Sequence, residues 1–211
     1  MIDSTYIKQI IRRLGDAYPE AKIALHFSNP GELLVAVMLS AQCTDEVVNR
    51  VTAPLFKKYR TVEDYASADI GEFEKDIKSA GFYHNKAKNI IESAGLIIEK
   101  YNGNVPSHME DLILLPGVAR KTANIVLYNA FGIIEGIAVD THVRRLSQKL
   151  GLSRNDDPVK IEKDLMQIIP REIWGSFPYL LIEHGRAVCI ARKPKCRECT
   201  LNDICPSAFK P

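Results

Sequence analysis

Apolar residues recur every three or four positions along almost the whole chain, the spacing of helices that each bury one face. Only short stretches such as residues 133–139 could be mistaken for strand. The pattern predicts an all-α protein. Helix-sized segments begin near Ser4, Gly31, Thr44, Asp69, Asn85, His108, Ala119, Thr141, Pro158 and Ser176, separated by Pro, Gly, Asn or Asp. Leu33 to Leu39 is apolar on every side, as expected of a buried central helix. No repeat or low-complexity stretch interrupts this organisation.

Two local signals stand out within the pattern. Ser107-His-Met-Glu110 has the form of a capping box, in which Ser and Glu side chains satisfy the free amides of a helix start. That helix must end before Leu115-Pro116-Gly117-Val118, since Pro disfavours helix in the preceding residue and Gly permits positive φ. A second helix follows at once, with Ala119, Ala123, Val126, Leu127 and Ala130 as its apolar stripe and Lys121, Asn124 and Tyr128 on the opposite face. Two helices joined this way point free amides at an anion, and a DNA phosphate fits, although such turns also serve merely to connect helices. Asp140 stands before an amphipathic segment with Val139, Val143, Leu146 and Leu150 on one face, and Arg144, Arg145 and Lys149 follow toward its end. It is a natural N-cap.

Composition narrows the class. With 211 residues, 46% of them hydrophobic, the chain can bury one large core or two small ones. No apolar run approaches the roughly 20 residues of a membrane span, and Met1-Ile2-Asp3 opens no signal-peptide pattern. An intracellular location is expected, where disulfides are rare. Cys189, Cys196, Cys199 and Cys205, spaced by six, two and five residues, then read as ligands of one metal centre, either zinc or iron-sulfur. Cys43 lies far away and is expected to pack as a small apolar side chain. A net charge of +2 excludes a uniformly basic nucleic-acid coat. The basicity is local: Arg186, Arg192, Lys193, Lys195 and Arg197 face a single acid, Glu198, around the cysteines, a patch suited to phosphate or to plain solvation.

Taken together, Leu115 to Asn124, Val139-Asp-Thr-His142, the four cysteines, Ser40 to Asp45 and Gly81 to Lys86 resemble the endonuclease III family of DNA-repair glycosylases. The resemblance implies two helical lobes with a DNA-binding cleft between them. One lobe would span residues 25–135, with a helix-hairpin-helix at about 108–132. The other would join residues 1–24 to 136–211 and carry a [4Fe-4S] cluster on the four cysteines. Lys121 would attack the sugar C1′ with Asp140 assisting. A lysine attacks only as the neutral amine, about one in a thousand near neutral pH for an ordinary lysine, so a helix start beside Arg120 is a useful setting. Gln42 and Phe82 would fill the space left by an extruded nucleotide, and His142 would lie near the active site. Leu115, Gly117 and Ala119 would meet DNA at the hairpin, and Arg192, Lys193 and Lys195 would meet phosphates.

Ala119 departs from the family, which usually has a second Gly there. A positive φ would strain it by roughly 1 kcal/mol, whereas a helical one would only limit how closely phosphate approaches. The implied function is a bifunctional DNA glycosylase and abasic-site lyase acting on oxidised pyrimidines. Its partner would be double-stranded DNA with damaged bases or abasic sites, bound by a monomer at the nucleoid of a prokaryotic cytoplasm, with no membrane involved. Three other readings make different demands: a mismatch glycosylase usually lacks the hairpin lysine, a non-catalytic helix-hairpin-helix module binds without covalent chemistry, and an iron-sulfur electron carrier leaves the hairpin unexplained.

Overall fold

The computed structural model describes residues 3–210. Met1, Ile2 and Pro211, which enter the expectations about the chain's opening and the second lobe, lie outside the described residues. All regular structure among the described residues is helical: α1 (Ser4–Ala17), α2 (Pro30–Leu39), α3 (Asp45–Lys58), α4 (Val62–Ala66), α5 (Ile70–Ile77), α6 (Tyr83–Tyr101), α7 (Met109–Leu112), α8 (Arg120–Phe131), α9 (Thr141–Lys149), α10 (Pro158–Ile168) and α11 (Phe177–Ala187). Three-residue 3₁₀ turns follow α5 and α10, and a third, Cys196–Glu198, lies within the cysteine-bearing segment. Residues 133–139 form an irregular connection.

The chain divides into two compact units. One is contiguous, Ala24–Ile133; the other combines the described residues up to Ile23 with those from Ile134 onward. In the contiguous unit α2 is the centre. Leu33 through Leu39 are all buried, and α8 and α6 pack against it. Burying each large side chain there contributes roughly 1.5–3 kcal/mol. α4 went unforeseen because five residues are too few to show a period. It is fixed by a capping box, in which Thr61 accepts from the Asp64 amide while the Asp64 carboxylate accepts from that of Thr61, and by Tyr65, which stacks on Tyr59 and meets Phe73 edge-on.

The expected capping box at Ser107 and Glu110 does not form. The N-cap of α7 is His108, in extended conformation and without a side-chain cap. The helix therefore starts one residue late, leaving Glu110 at its second position, too early to reach back.

In the discontinuous unit α9, α10, α11 and α1 enclose a core around Leu14, Val143, Leu146, Leu165, Phe177 and Leu181. The expected apolar face of α9 is buried throughout, from Val139 to Leu150. α9 and α11 approach so closely at Gly185 that an added Cβ would lie 2.7 Å from His142 Nδ1. α1 binds the C-terminal segment: Arg13 forms a two-pronged pair with Asp203 and donates to the Thr200 carbonyl at 2.9 Å, while the Tyr6 hydroxyl donates to the Leu150 carbonyl at 2.8 Å.

Candidate functional site

α7 and α8 are joined by a turn at Pro116-Gly117. Gly117 has φ +77°, and the Val118 amide donates to the Leu115 carbonyl at 3.0 Å. The turn is braced by α6, whose Ser93 hydroxyl donates to the Pro116 carbonyl at 3.0 Å. A Cβ on Gly117 would come within 2.7 Å of Asn89 Nδ2, so only glycine satisfies both the backbone angle and the packing.

Ala119 is the N-cap of α8 with φ −88° and ψ 167°, extended rather than helical and free of positive-φ strain. Its side chain cannot cap, and the first amides of α8 receive no side-chain cap. Lys121 is the second residue of α8, at the helix start beside Arg120 as expected, and is exposed.

Two hairpin expectations need correcting. The Leu115 side chain is buried in the core, 2% exposed, and offers DNA no surface; Ile113 and Leu114 are the exposed apolar residues of this turn. Asn124, assigned to the polar face, is also buried, because α8 is covered on that side as well as along its apolar stripe.

Asp140 is the N-cap of α9 and accepts from the Val143 amide at 2.7 Å, a contact worth about 1 kcal/mol of helix stability. It is half-buried, with part of its carboxylate left for other work. His142 is half-buried against Gly185.

Gln42 and Phe82 share a backbone signature that spacing could not reveal. Both are non-glycine residues in the left-handed region, at φ +54° and +48°. Gln42 lies within a turn closed by the Cys43 amide on the Ser40 carbonyl, directly after α2. Phe82 is the N-cap of α6, preceded by Gly81 at φ +68°, and is 66% exposed rather than part of the core. Holding a side-chain-bearing residue in this region costs roughly 1–2 kcal/mol, and such strain is concentrated at working sites.

One residue here escaped sequence reasoning altogether. Lys86 is 7% exposed, and its ammonium donates to the Leu39 carbonyl at 2.7 Å and the Ala80 carbonyl at 2.9 Å. Burial pushes its pKa below the ordinary lysine value, opposed by the nearby Cys43. Cys43 itself is half-buried rather than buried.

Cys189, Cys196, Cys199 and Cys205 line one cavity of about 160 Å³ together with Arg145, Lys149, Arg192 and Lys195. Burial raises the pKa of the Cys189 and Cys199 thiols, so a positive or metallic neighbour is needed to hold them as thiolates. Arg145 braces the loop by donating to the Cys189 carbonyl at 2.7 Å. His184, whose pKa burial pushes down to about 4, is a neutral ring at pH 7. Its Nδ1 meets the Tyr18 hydroxyl at 3.0 Å and its Nε2 lies 3.5 Å from Cys199 Sγ. With Tyr18 donating to Nδ1, the Nε2–H faces sulfur.

Among the described residues no group of three or more His, Cys, Asp or Glu could hold a single metal ion. Zinc would require every sulfur at about 2.3 Å from one centre. Four thiols lining one cavity with basic side chains fit an anionic metal-thiolate centre. Arg192, Lys193 and Lys195 are exposed on the neighbouring loop.

The HhH-GPD superfamily of base excision DNA repair proteins matches residues 35–171. Endonuclease III of Synechocystis sp. is 53% identical over 205 residues, covering 97% of this chain and 92% of that protein. Two solved structures align with TM-score 0.94 and 46% identity over 99% of this chain: a non-covalent endonuclease III–DNA complex, 97% covered, and a trapped endonuclease III–DNA covalent intermediate, 98% covered.

Proposed function

This chain belongs to the endonuclease III family within the HhH-GPD superfamily and is a base-excision DNA glycosylase and abasic-site lyase, and we propose that it removes oxidised pyrimidines from duplex DNA with Lys121 as nucleophile. The supporting observation is the exposed lysine at the second position of a helix that lacks a side-chain cap and directly follows the Gly117 turn. The turn's amides bind a backbone phosphate, which fixes the strand beside the amine. Lys121 Nζ attacks C1′ of the extruded nucleotide; the C1′–N bond breaks and the base leaves with its electron pair. Asp140 stabilises the positive charge that develops on the sugar and relays a proton from the amine to O4′ as the C1′–O4′ bond breaks, which opens the ring and leaves the iminium. The iminium acidifies C2′–H. Loss of that proton expels the 3′ phosphate by β-elimination, and water then releases the lysine and leaves a nicked strand.

Extrusion costs a few kcal/mol of pairing and stacking. Gln42 and Phe82 offset part of that cost by entering the vacated stack, their exposure and strained backbones supporting the assignment. Cys189, Cys196, Cys199 and Cys205 hold a [4Fe-4S] cluster, which supplies a structural staple for the loop that brings Arg192, Lys193 and Lys195 to phosphates. The enzyme works as a monomer on DNA at the prokaryotic nucleoid. No helix among the described residues is long and apolar enough to cross a membrane.

Borohydride trapping on duplexes with an abasic site or an oxidised thymine tests the nucleophile. The wild-type chain gives a covalent complex and Lys121→Gln gives none. An undiminished complex in the variant would remove Lys121 from the mechanism.

A further inference from the structure

Four positions on α6 or at its start, Phe82, Lys86, Asn89 and Ser93, fall at intervals of four, three and four residues and so form one stripe along the helix. Each end of the stripe has a structural partner. At one end Ser93 and Asn89 hold the Pro116-Gly117 turn. At the other, Lys86 Nζ spans two chain ends: the Leu39 carbonyl, where α2 stops, and the Ala80 carbonyl, where the 3₁₀ turn before Gly81 stops. Carbonyls at a helix terminus have no partner within the helix, and an ammonium there satisfies them and complements the helix dipole. From Leu39 the chain runs three residues to Gln42, and from Ala80 two residues to Phe82. The two positive-φ side chains therefore hang from backbone anchored on one buried cation.

We propose that Lys86 is a positioning residue for nucleotide extrusion, tying the Gln42 and Phe82 turns to each other and, through α6, to the phosphate-binding hairpin. The role rests on the insertion of Gln42 and Phe82 proposed above. It differs from general stabilisation in what it controls. Without the ammonium both turns lose a shared anchor, and each strained residue can relax to negative φ and swing its side chain away from the gap. Binding to intact duplex depends on hairpin amides and surface cations and stays as it was.

The test uses the full-length protein with Lys86→Met, a substitution that keeps length and apolar packing. Affinity is measured for an undamaged duplex and for one carrying a tetrahydrofuran abasic analogue beside 2-aminopurine. Lys86→Met is expected to lose about tenfold or more of the preference for the analogue, with the 2-aminopurine response, while undamaged-duplex affinity stays within about twofold and its salt slope is unchanged. In a Gln42→Ala/Phe82→Ala background the same change should cost almost nothing further.

A folded Lys86→Met protein that keeps the wild-type preference overturns the proposal, as does a fully additive loss in the double background. If Gln42→Ala/Phe82→Ala itself retains the preference, the insertion reading fails and the role of Lys86 falls with it. Circular dichroism establishes folding. Should Lys86→Met not fold, Lys86→Gln, which reaches one carbonyl at most, is read by the same criteria.

Discussion

Asp140 closes a helix and, in the proposed mechanism, steadies a cation, and one substitution separates the two tasks. Asparagine caps almost as well as aspartate but carries no charge. Asp140→Asn is therefore expected to melt within about 1 °C of wild type while single-turnover base release falls by about a hundredfold or more. Equal losses of stability and rate would reduce Asp140 to a cap. Its capping role was legible in the sequence because an acid before an amphipathic run has few other readings. Lys86 was not legible: a lysine among Asn85, Ala87 and Lys88 reads as solvated, and nothing in its neighbours announces burial. Nor does sequence disclose that Gln42 and Phe82 have positive φ, since neither is Gly or Asn, the usual residues for that region.

At the scale of elements, periodicity located every helix long enough to repeat, and the failures lie where the chain is short. α4 lacks a period, and α7, at four residues, leaves its cap register undetermined until the following turn is packed. The hairpin is the opposite case, because Pro-Gly after an apolar run leaves little freedom. Gly117→Ala forces a side chain into positive φ and against Asn89. It should destabilise the protein by about 1–3 kcal/mol in denaturant titration. Adding Asn89→Ala should recover the contact part of that loss but not the conformational part. Full recovery would show that φ at this position costs nothing.

For the whole molecule, charge is better understood as distribution than as total. Each phosphate neutralised contributes about 0.9 to the slope of log affinity against log salt, so Lys193→Glu should flatten that slope by about one while leaving base preference unchanged. An unaltered slope would place the exposed basic loop outside the footprint. The cysteine spacing by itself left zinc and an iron-sulfur cluster open, and the cluster came from the likeness of the six, two and five pattern to the endonuclease III family; that the four thiols line one cavity with basic side chains is what no spacing rule contains.

The packing of α1 in the core of the discontinuous unit, with Arg13 on Asp203 at its edge, also bears on the order of events during folding. Residues 24–133 form a unit from contiguous chain and can condense as soon as they leave the ribosome. α1 precedes that unit, but its partners Thr200 and Asp203 follow it by more than sixty residues, so α1 must wait, unpaired, while an entire domain is made in front of it. Every partner of α1 in the core of its own unit, from Val143 to Leu181, is likewise made after the contiguous unit. A molecule whose cysteine segment never matures should therefore persist as a half-built one. Limited proteolysis of metal-stripped protein should leave a resistant core near residues 24–133, with α1 lost alongside the C-terminal segment. Release of the C-terminal segment with α1 retained would show that the first helix needs no such partner.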